Sequence, residues 1–410
     1  MSLIINLGLL AYFKYTYFIA DNVAFIGKAF GRDWQFSLGK IILPLGISFY
    51  TFVSLSYTID IYRRVLGPVR DFKVYLTYVM FWPHMIAGPI LRGHELINQI
   101  LRGSRFRVSH IVAGVKAVVA GLFLKVGLAD QLAPMVDDAF GMKPELLGGV
   151  DVWTMAFGFG LQIYFDFAGY SLIAIGSARL LGIHFPENFN WPYLAISPRD
   201  FWKGWHITLS SWVRDYLYLP LSGNSFRDSS RGGIDIVTDG VKSRNLSGGL
   251  TLPLFLSWFL MGLWHGASWN FALWGLWHAT LIYMYRIAKN KFGWIPAGLQ
   301  SMLGWCVTVS LVMLGWIPFR AADLADTLAL YSKLFQFSRY RTLGFRENFY
   351  LIVFVFTAGM IGLYFLKKSR IAVLQNPWVR QTGEVIAVST MLFIIFVFLK
   401  PVSQFIYFQF

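Results

Sequence analysis

Apolar stretches long enough, or nearly long enough, to cross a lipid bilayer recur from one end of this chain to the other, and they decide what it can fold into. Crossing a hydrocarbon core of ~30 Å takes about 20 residues of helix. Such stretches cover Leu3 to Ala20, Ile41 to Asp60, Val74 to Leu91, Ile111 to Ala129, Val152 to Leu181, Leu250 to Trp264, Phe271 to Tyr285, Leu299 to Ile317, Phe349 to Leu366 and Val385 to Leu399. Charged side chains make up only 14% of the 410 residues, against roughly 25% in ordinary soluble domains. A water-soluble chain of this length could not coat its surface with so few. The sequence therefore predicts an all-α integral membrane protein, a single polytopic domain over residues 1–410.

The net charge of +15 does not point to nucleic acid. Basic residues fall in short clusters between apolar segments: Arg102, Arg105 and Arg107; Arg227, Arg231, Lys242 and Arg244; Arg286, Lys289 and Lys291; Lys367, Lys368 and Arg370. No recognition fold or basic helix accompanies them. If 250–285 enters and leaves by one face, the last three clusters share a side, and the positive-inside rule makes it cytoplasmic. The stretch 222–249 is the most polar and is rich in Gly and Ser, which predicts a flexible, exposed loop. Cys306, the single cysteine, lies in an apolar run without zinc-type spacing and reads as a packing residue. The first apolar stretch lacks the basic n-region and the cleavage site of a removable leader. Its Lys14, among Tyr12, Phe13, Tyr15, Tyr17 and Phe18, reads as an interfacial anchor at a helix end. No internal repeat is visible, so an inverted-repeat transporter has no direct support.

Some elements cannot be straight. Val74 to Leu91 contains Pro83, Gly88 and Pro89, and a break at membrane depth is tolerated only where protein or a water-filled cavity covers the freed backbone. Broken elements thus point to a binding cavity. His265 lies between two apolar arms of about 15 residues, each reaching ~22 Å, short of the ~30 Å core. If both arms start from one face, the turn bearing His265 stops inside the membrane, where an ionisable residue is a functional candidate by default. Gly262 and Gly266 beside it leave room for a backbone or a ligand. The plain alternative is a neutral histidine bonded to a carbonyl between two straight helices.

His206 sits in a stretch, Ser197 to Tyr216, that mixes Trp202, Trp205 and Trp212 with Arg199, Lys203 and Arg214. This is too polar to span and too aromatic for a loose loop, so it reads as an amphipathic or re-entrant segment at the interface. Asp166 is the only carboxylate within Val152 to Leu181 and needs an intramembrane partner, for which an Arg, His or Tyr would serve. A structural bond to another helix is its first reading and catalysis its second. His84, in Pro83-His84-Met85, is read first as packing and second as lining the same cavity. His94, His110, His184 and His278 carry no motif and read as structural; no histidine pair has helical metal-site spacing. Nucleophile elbow, P-loop and dinucleotide fingerprint are all missing. A buried histidine still suits acyl transfer, as the base that takes a proton from an acceptor hydroxyl attacking a thioester carbonyl.

Across these positions the sequence resembles the membrane-bound O-acyltransferase (MBOAT) superfamily, and within it the bacterial alginate O-acetyltransferase-like branch. The resemblance is carried by Pro44-Leu45-Gly46-Ile47-Ser48-Phe49-Tyr50-Thr51-Phe52, by Ala87-Gly88-Pro89-Ile90 and by Asp166-Phe167-Ala168-Gly169-Tyr170-Ser171. It continues through the block around His206 to Leu221, and through Leu263-Trp264-His265-Gly266. It implies a multi-helix bundle with re-entrant segments around a central tunnel, His265 as the catalytic histidine and His206 as the second signature histidine. Trp205, Trp264, Asp166, His84, Asn270 and Arg214 are then the candidates for the tunnel wall or for substrate contacts. The implied reaction moves an acyl group, acetyl above all, from a cytoplasmic thioester toward an extracytoplasmic polysaccharide hydroxyl. No bound cofactor and no metal is implied. Acetyl-CoA would be the co-substrate, an extracytoplasmic acetyltransferase or esterase-like protein the partner, and a bacterial inner membrane the location.

The chain departs from the branch at Leu172, where an acidic residue is usual, at Ser222-Gly223-Asn224 and at Pro318-Phe319. The branch also has more spans ahead of a stretch like Asn6 to Tyr17, so the chain is expected to begin partway in. The sister branch that D-alanylates teichoic acids from an acyl-carrier protein is the runner-up. A proton-coupled transporter and a structural scaffold for an exporter are the competing classes.

Overall fold

A computed structural model describes residues 1–103, 107–223, 251–288, 291, 295–369, 376–399 and 405, and its regular structure there is entirely helical. In chain order the helices are α1 (Ser2–Ala29), α2 (Ile47–Tyr62), α3 (Phe72–Val79), α4 (Gly93–Arg102), α5 (Val108–Gly141), α6 (Gly149–Leu180) and α7 (Pro198–Gly204). They continue as α8 (Ile207–Val213), α9 (Thr251–His265), α10 (Trp269–Ala288), α11 (Ala297–Arg320), α12 (Leu324–Lys333), α13 (Glu347–Lys368) and α14 (Pro377–Val397). Among the described residues α1, α5, α11, α13 and α14 are long and apolar enough to cross a membrane. Isoleucines, leucines and phenylalanines point outward along α1 and α13, as a lipid-solvated surface requires. The expected loop 222–249, with Arg227, Arg231, Lys242 and Arg244, lies outside the described residues apart from its first two positions.

The 32-residue α6 is the axis of the bundle and is buried along most of its length. Helices α5 and α6 run against each other at glycine pairs. A Cβ on Gly121 would stand 2.5 Å from the carbonyl oxygen of Gly169, and one on Gly176 would stand 2.7 Å from that of Gly114. Small residues let the backbones meet where lipid offers no hydrophobic drive for packing. Next to this contact Lys125 reaches Asp166 of α6 at 2.5 Å and Asp130 at 2.9 Å. The expected partner of Asp166 is therefore present, but it is a lysine and not an Arg, His or Tyr. Lys125 projects from a widened π-helical turn, Phe123–Ala129.

The break in Val74 to Leu91 is observed: α3 stops at Val79, a single turn covers Trp82–His84, and extended chain leads into α4. Protein covers the freed groups. Ile90 N–H donates to Thr208 Oγ1 at 2.9 Å, and Tyr78 OH lies 3.2 Å from the carbonyls of both Val53 and Leu91. The arms around His265 are unequal: α9 has 15 residues and α10 has 20. They cross where Gly262 and Gly275 face each other, and a Cβ on Gly262 would lie 2.2 Å from Phe271 O. Backbone, not ligand, fills the room left by Gly262. The segment around His206 is buried and is not a surface helix. α7 and α8 have seven residues each, and Phe201, Trp202, Trp205 and His206 are buried in the core.

Candidate active site

Every helix ends with carbonyls that have no partner in the helix itself. At the C-terminus of α9 these belong to the turn that carries His265, and two side chains of α1 take them up. Tyr15 OH donates to Leu263 O at 2.9 Å, and the Lys14 ammonium donates to Trp264 O and, at 3.1 Å, to His265 O. Lys14 and Tyr15 both belong to a π-helical turn, Ala11–Tyr15. The ammonium also lies 5.8 Å from the Trp264 ring centroid. Lys14 is thus not an interfacial anchor. It is a cation at the negative end of a helix dipole, beside the histidine.

Between these groups is a cavity of about 200 Å³, walled by Lys14, the segment 43–49, Ile86, Trp264 and His265. Gly46 shapes it. With φ of +73° it turns the chain so closely over the Pro83–Pro89 break that a Cβ would sit 2.6 Å from Met85 O. The broken element therefore does supply a wall residue, Ile86. Aromatic rings hold the rest. Phe52 stacks between Trp212 (4.0 Å) and Trp264 (4.8 Å). The His265 imidazole, 5% exposed, is flanked by Trp264, Trp274 and Phe319 with centroids 4.8, 4.9 and 5.3 Å away.

His206 is fully buried outside this cavity. Its backbone is left-handed (φ 42°), a strained state for histidine. Asn188 holds it there, because Ile207 N–H donates to Asn188 O at 2.9 Å and Asn188 Oδ1 accepts from His206 Nδ1 and from Thr208. His206 Nε2 has no partner among the described residues. Aromatic contacts run from His206 toward His265: its neighbour Trp205 lies 4.8 Å from Trp316, which lies 6.0 Å from Trp274, which touches His265.

Of the other candidates, only Trp264 shares the cavity wall with His265. Trp205 is packed among Tyr193, Phe201 and Trp316. Asp166 belongs to the Lys125 pair. His84 bonds Phe81 O through Nδ1 at 2.9 Å and packs on Phe185. Asn270 donates to Ala321 O at 3.0 Å, tying α10 to the end of α11. Arg214 grips both oxygens of Asp215 at 2.6 and 3.1 Å, and Arg92 reaches the same carboxylate at 2.6 Å. Three residues near the site were not among its candidates: Lys14, read as an anchor, His278, read as structural, and Asn188. His278 accepts from Trp202 Nε1 at 3.3 Å and meets the Trp274 ring edge-on, with centroids 4.9 Å apart. A lysine in an apolar stretch marks Lys14 as unusual but does not reveal its partners. Asn188 and His278 carry no comparable mark.

Comparison with known proteins matches residues 64–233 to the MBOAT, membrane-bound O-acyltransferase family, a segment that contains His206 and ends before His265. The chain is 38% identical over 339 residues to the probable alginate O-acetylase AlgI of Azotobacter vinelandii, covering 82% of this chain and 62% of that one. It is 37% identical over 342 residues to the protein of that name in Pseudomonas aeruginosa (83% and 61% covered). With the peptidoglycan O-acetyltransferase of Helicobacter pylori it shares 32% identity over 354 residues (80% and 62% covered). The chain spans about three fifths of the length of these curated relatives.

Proposed function

The chain is a multi-pass membrane protein of the membrane-bound O-acyltransferase family, in its alginate O-acetylase-like branch, and we propose that it transfers an acyl group, acetyl above all, from a thioester to a hydroxyl. The observation that carries this reading is His265 on the wall of a cavity at the end of a short helix. A volume of about 200 Å³ is below the ~300–1,000 Å³ of sites that enclose a whole drug-sized ligand. It suits the acyl end of a donor meeting one hydroxyl.

In the reaction the acceptor oxygen attacks the thioester carbonyl carbon while His265 takes the hydroxyl proton. The new C–O bond forms and the carbonyl electron pair moves onto oxygen. When that pair returns, the C–S bond breaks, and the thiolate leaves with the proton from His265. Base catalysis of this kind is worth ~10² to 10⁴-fold, and orientation in the cavity supplies more. His206, held by Asn188, keeps the aromatic core beside the site in register. The donor is acetyl-CoA arriving from the cytoplasmic face of a bacterial inner membrane. The acceptor is an extracytoplasmic polysaccharide such as alginate or peptidoglycan, reached directly or through an extracytoplasmic acetyltransferase or esterase-like partner.

The test is the purified chain in lipid nanodiscs, supplied with acetyl-CoA labelled in the acetyl group and with soluble acceptor oligosaccharides. Labelled ester, or labelled acetate released by water in place of the acceptor, is expected from the wild type and not from His265→Gln. Equal release from both proteins would end this reading. Turnover only with a D-alanyl carrier-protein thioester would move the chain to the sister branch.

A further inference from the structure

Lys14 places a permanent donor in the proposed site that base catalysis by His265 does not use. We propose that Lys14 is a second catalytic residue there, its ammonium donating a hydrogen bond to the acyl carbonyl oxygen as that oxygen becomes an oxyanion. The inference rests on the acyl-transfer reading above.

An ammonium carries three N–H donors and no acceptor. Trp264 O and His265 O take two of them. The third has no partner among the described residues, and Lys14 is part of the cavity wall. That wall otherwise has few polar side-chain atoms: beyond Lys14 and His265 only the Ser48 hydroxyl and the Trp264 indole N–H, and neither carries a charge. A cation in such surroundings is costly unless opposite charge meets it. The two carbonyls supply dipoles, and an oxyanion forming in the cavity would supply the charge. The geometry is also fixed beforehand. Two carbonyls of α9 hold the ammonium, and those carbonyls belong to the same residues whose side chains line the site. A donor that need not reorganise as charge develops is what oxyanion stabilisation requires. The π-helical turn Ala11–Tyr15 is the local device that brings Lys14 and Tyr15 to the same helix end, and such turns recur at functional sites.

In the step itself no proton leaves Lys14. The hydroxyl proton passes to His265, the acyl C–O bond forms, and the negative charge on the former carbonyl oxygen is hydrogen-bonded by the ammonium until the C–S bond breaks. The competing role is purely structural, with Lys14 only capping α9.

The experiment measures kcat and KM for wild type, Lys14→Met, Lys14→Gln and Lys14→Arg in nanodiscs, with acetyl-CoA and with a dithioester analogue in which sulfur replaces the carbonyl oxygen. Sulfur is the poorer hydrogen-bond acceptor, so the oxygen-over-sulfur rate ratio reports a donor at that atom. Lys14→Met is expected to lose ~10² to 10³-fold in kcat, the usual loss for one oxyanion donor, with little change in KM and a collapsed oxygen-over-sulfur ratio. Lys14→Arg should recover part of both. If Lys14→Met does not fold, Lys14→Gln, which can still cap one carbonyl, is read in the same way. A folded Lys14→Met or Lys14→Gln protein with the wild-type ratio overturns the inference and leaves acyl transfer standing. A wild-type protein that turns over no thioester overturns both.

Discussion

His206 Nδ1 donates to Asn188 Oδ1 at 3.1 Å, which leaves His206 Nε2 as a bare acceptor with no partner among the described residues. The same amide oxygen accepts from Thr208 N–H at 3.3 Å and Thr208 Oγ1 at 2.8 Å, and the Asn188 Nδ2 donates to Ser171 at 3.1 Å. One side chain thus fixes the tautomer of His206, the start of α8 and its contact with α6. Asn188→Ala would orphan three buried donors at once, each costing ~1–3 kcal/mol. The variant should unfold at least ~3 kcal/mol more easily in a denaturant titration and lose activity with it. Wild-type stability would mean that α8 relaxes to find other partners.

His265→Gln should insert and fold yet transfer acyl groups at least ~10²-fold more slowly, the low end for removal of a positioned base. Glutamine keeps bulk and hydrogen-bonding ability among Trp264, Trp274 and Phe319, so the aromatic cage is retained. The comparison is acetyl release per folded protein, with folding checked by size-exclusion profile and melting. A well-folded variant at the wild-type rate would show that His265 is not the base.

Much of the fold was legible because lipid imposes a simple rule: apolar stretches must become helices. The expected spans Leu299 to Ile317 and Phe349 to Leu366 appear as α11 and α13 with ends shifted by a few residues. Ile111 to Ala129 was too short, since α5 runs on to Gly141. There the charges of Lys125 and Asp130 look like a terminus in sequence, but they pair with each other and with Asp166 in space. His265 stood out by hydrophobic context and by motif. How the rest of the site assembles did not, because its walls come from segments hundreds of residues apart. Nothing local says that Lys14 reaches the carbonyl of a residue 250 positions away, so the nearest local account, an anchor at the membrane surface, was the one the pattern supported. The segment 43–49 could be recognised by its motif, but its place over His265 depends on how Gly46 turns against Met85.

The Lys125–Asp166 pair should behave as a buried ion pair. Its side chains are only 11% and 3% exposed, and removing one partner of such a pair typically costs ~3–5 kcal/mol because the other charge is stranded. Lys125→Met and Asp166→Asn should each destabilise by about that much in a denaturant titration, the lysine variant more, because it also strands Asp130. The double variant should be less destabilised than the sum of the two. Additive effects would show that the two charges do not depend on each other.

The space beside two helical glycines, one in the α5–α6 contact and one in α1, makes opposite predictions for them. At Gly121 a Cβ would stand 2.5 Å from Gly169 O and 2.8 Å from the Ile173 side chain, so even alanine must push two backbones apart. Backbone cannot yield as a flexible side chain can, and overpacking of this kind typically costs ~1–3 kcal/mol. At Gly8, in the outward-facing part of α1, a Cβ would meet nothing within 4 Å. There the smaller entropy loss of alanine should dominate and stabilise the helix by ~0.5–1 kcal/mol. Gly121→Ala should therefore unfold at lower denaturant than wild type and Gly8→Ala at equal or higher denaturant. Because Lys125 and Asp166 lie one turn from Gly121 and Gly169, spreading the helices should also lengthen that ion pair. The Gly121→Ala loss should accordingly shrink when measured in the Lys125→Met background. Equal stability changes at Gly121 and Gly8 would mean that α5 and α6 do not touch along their glycines.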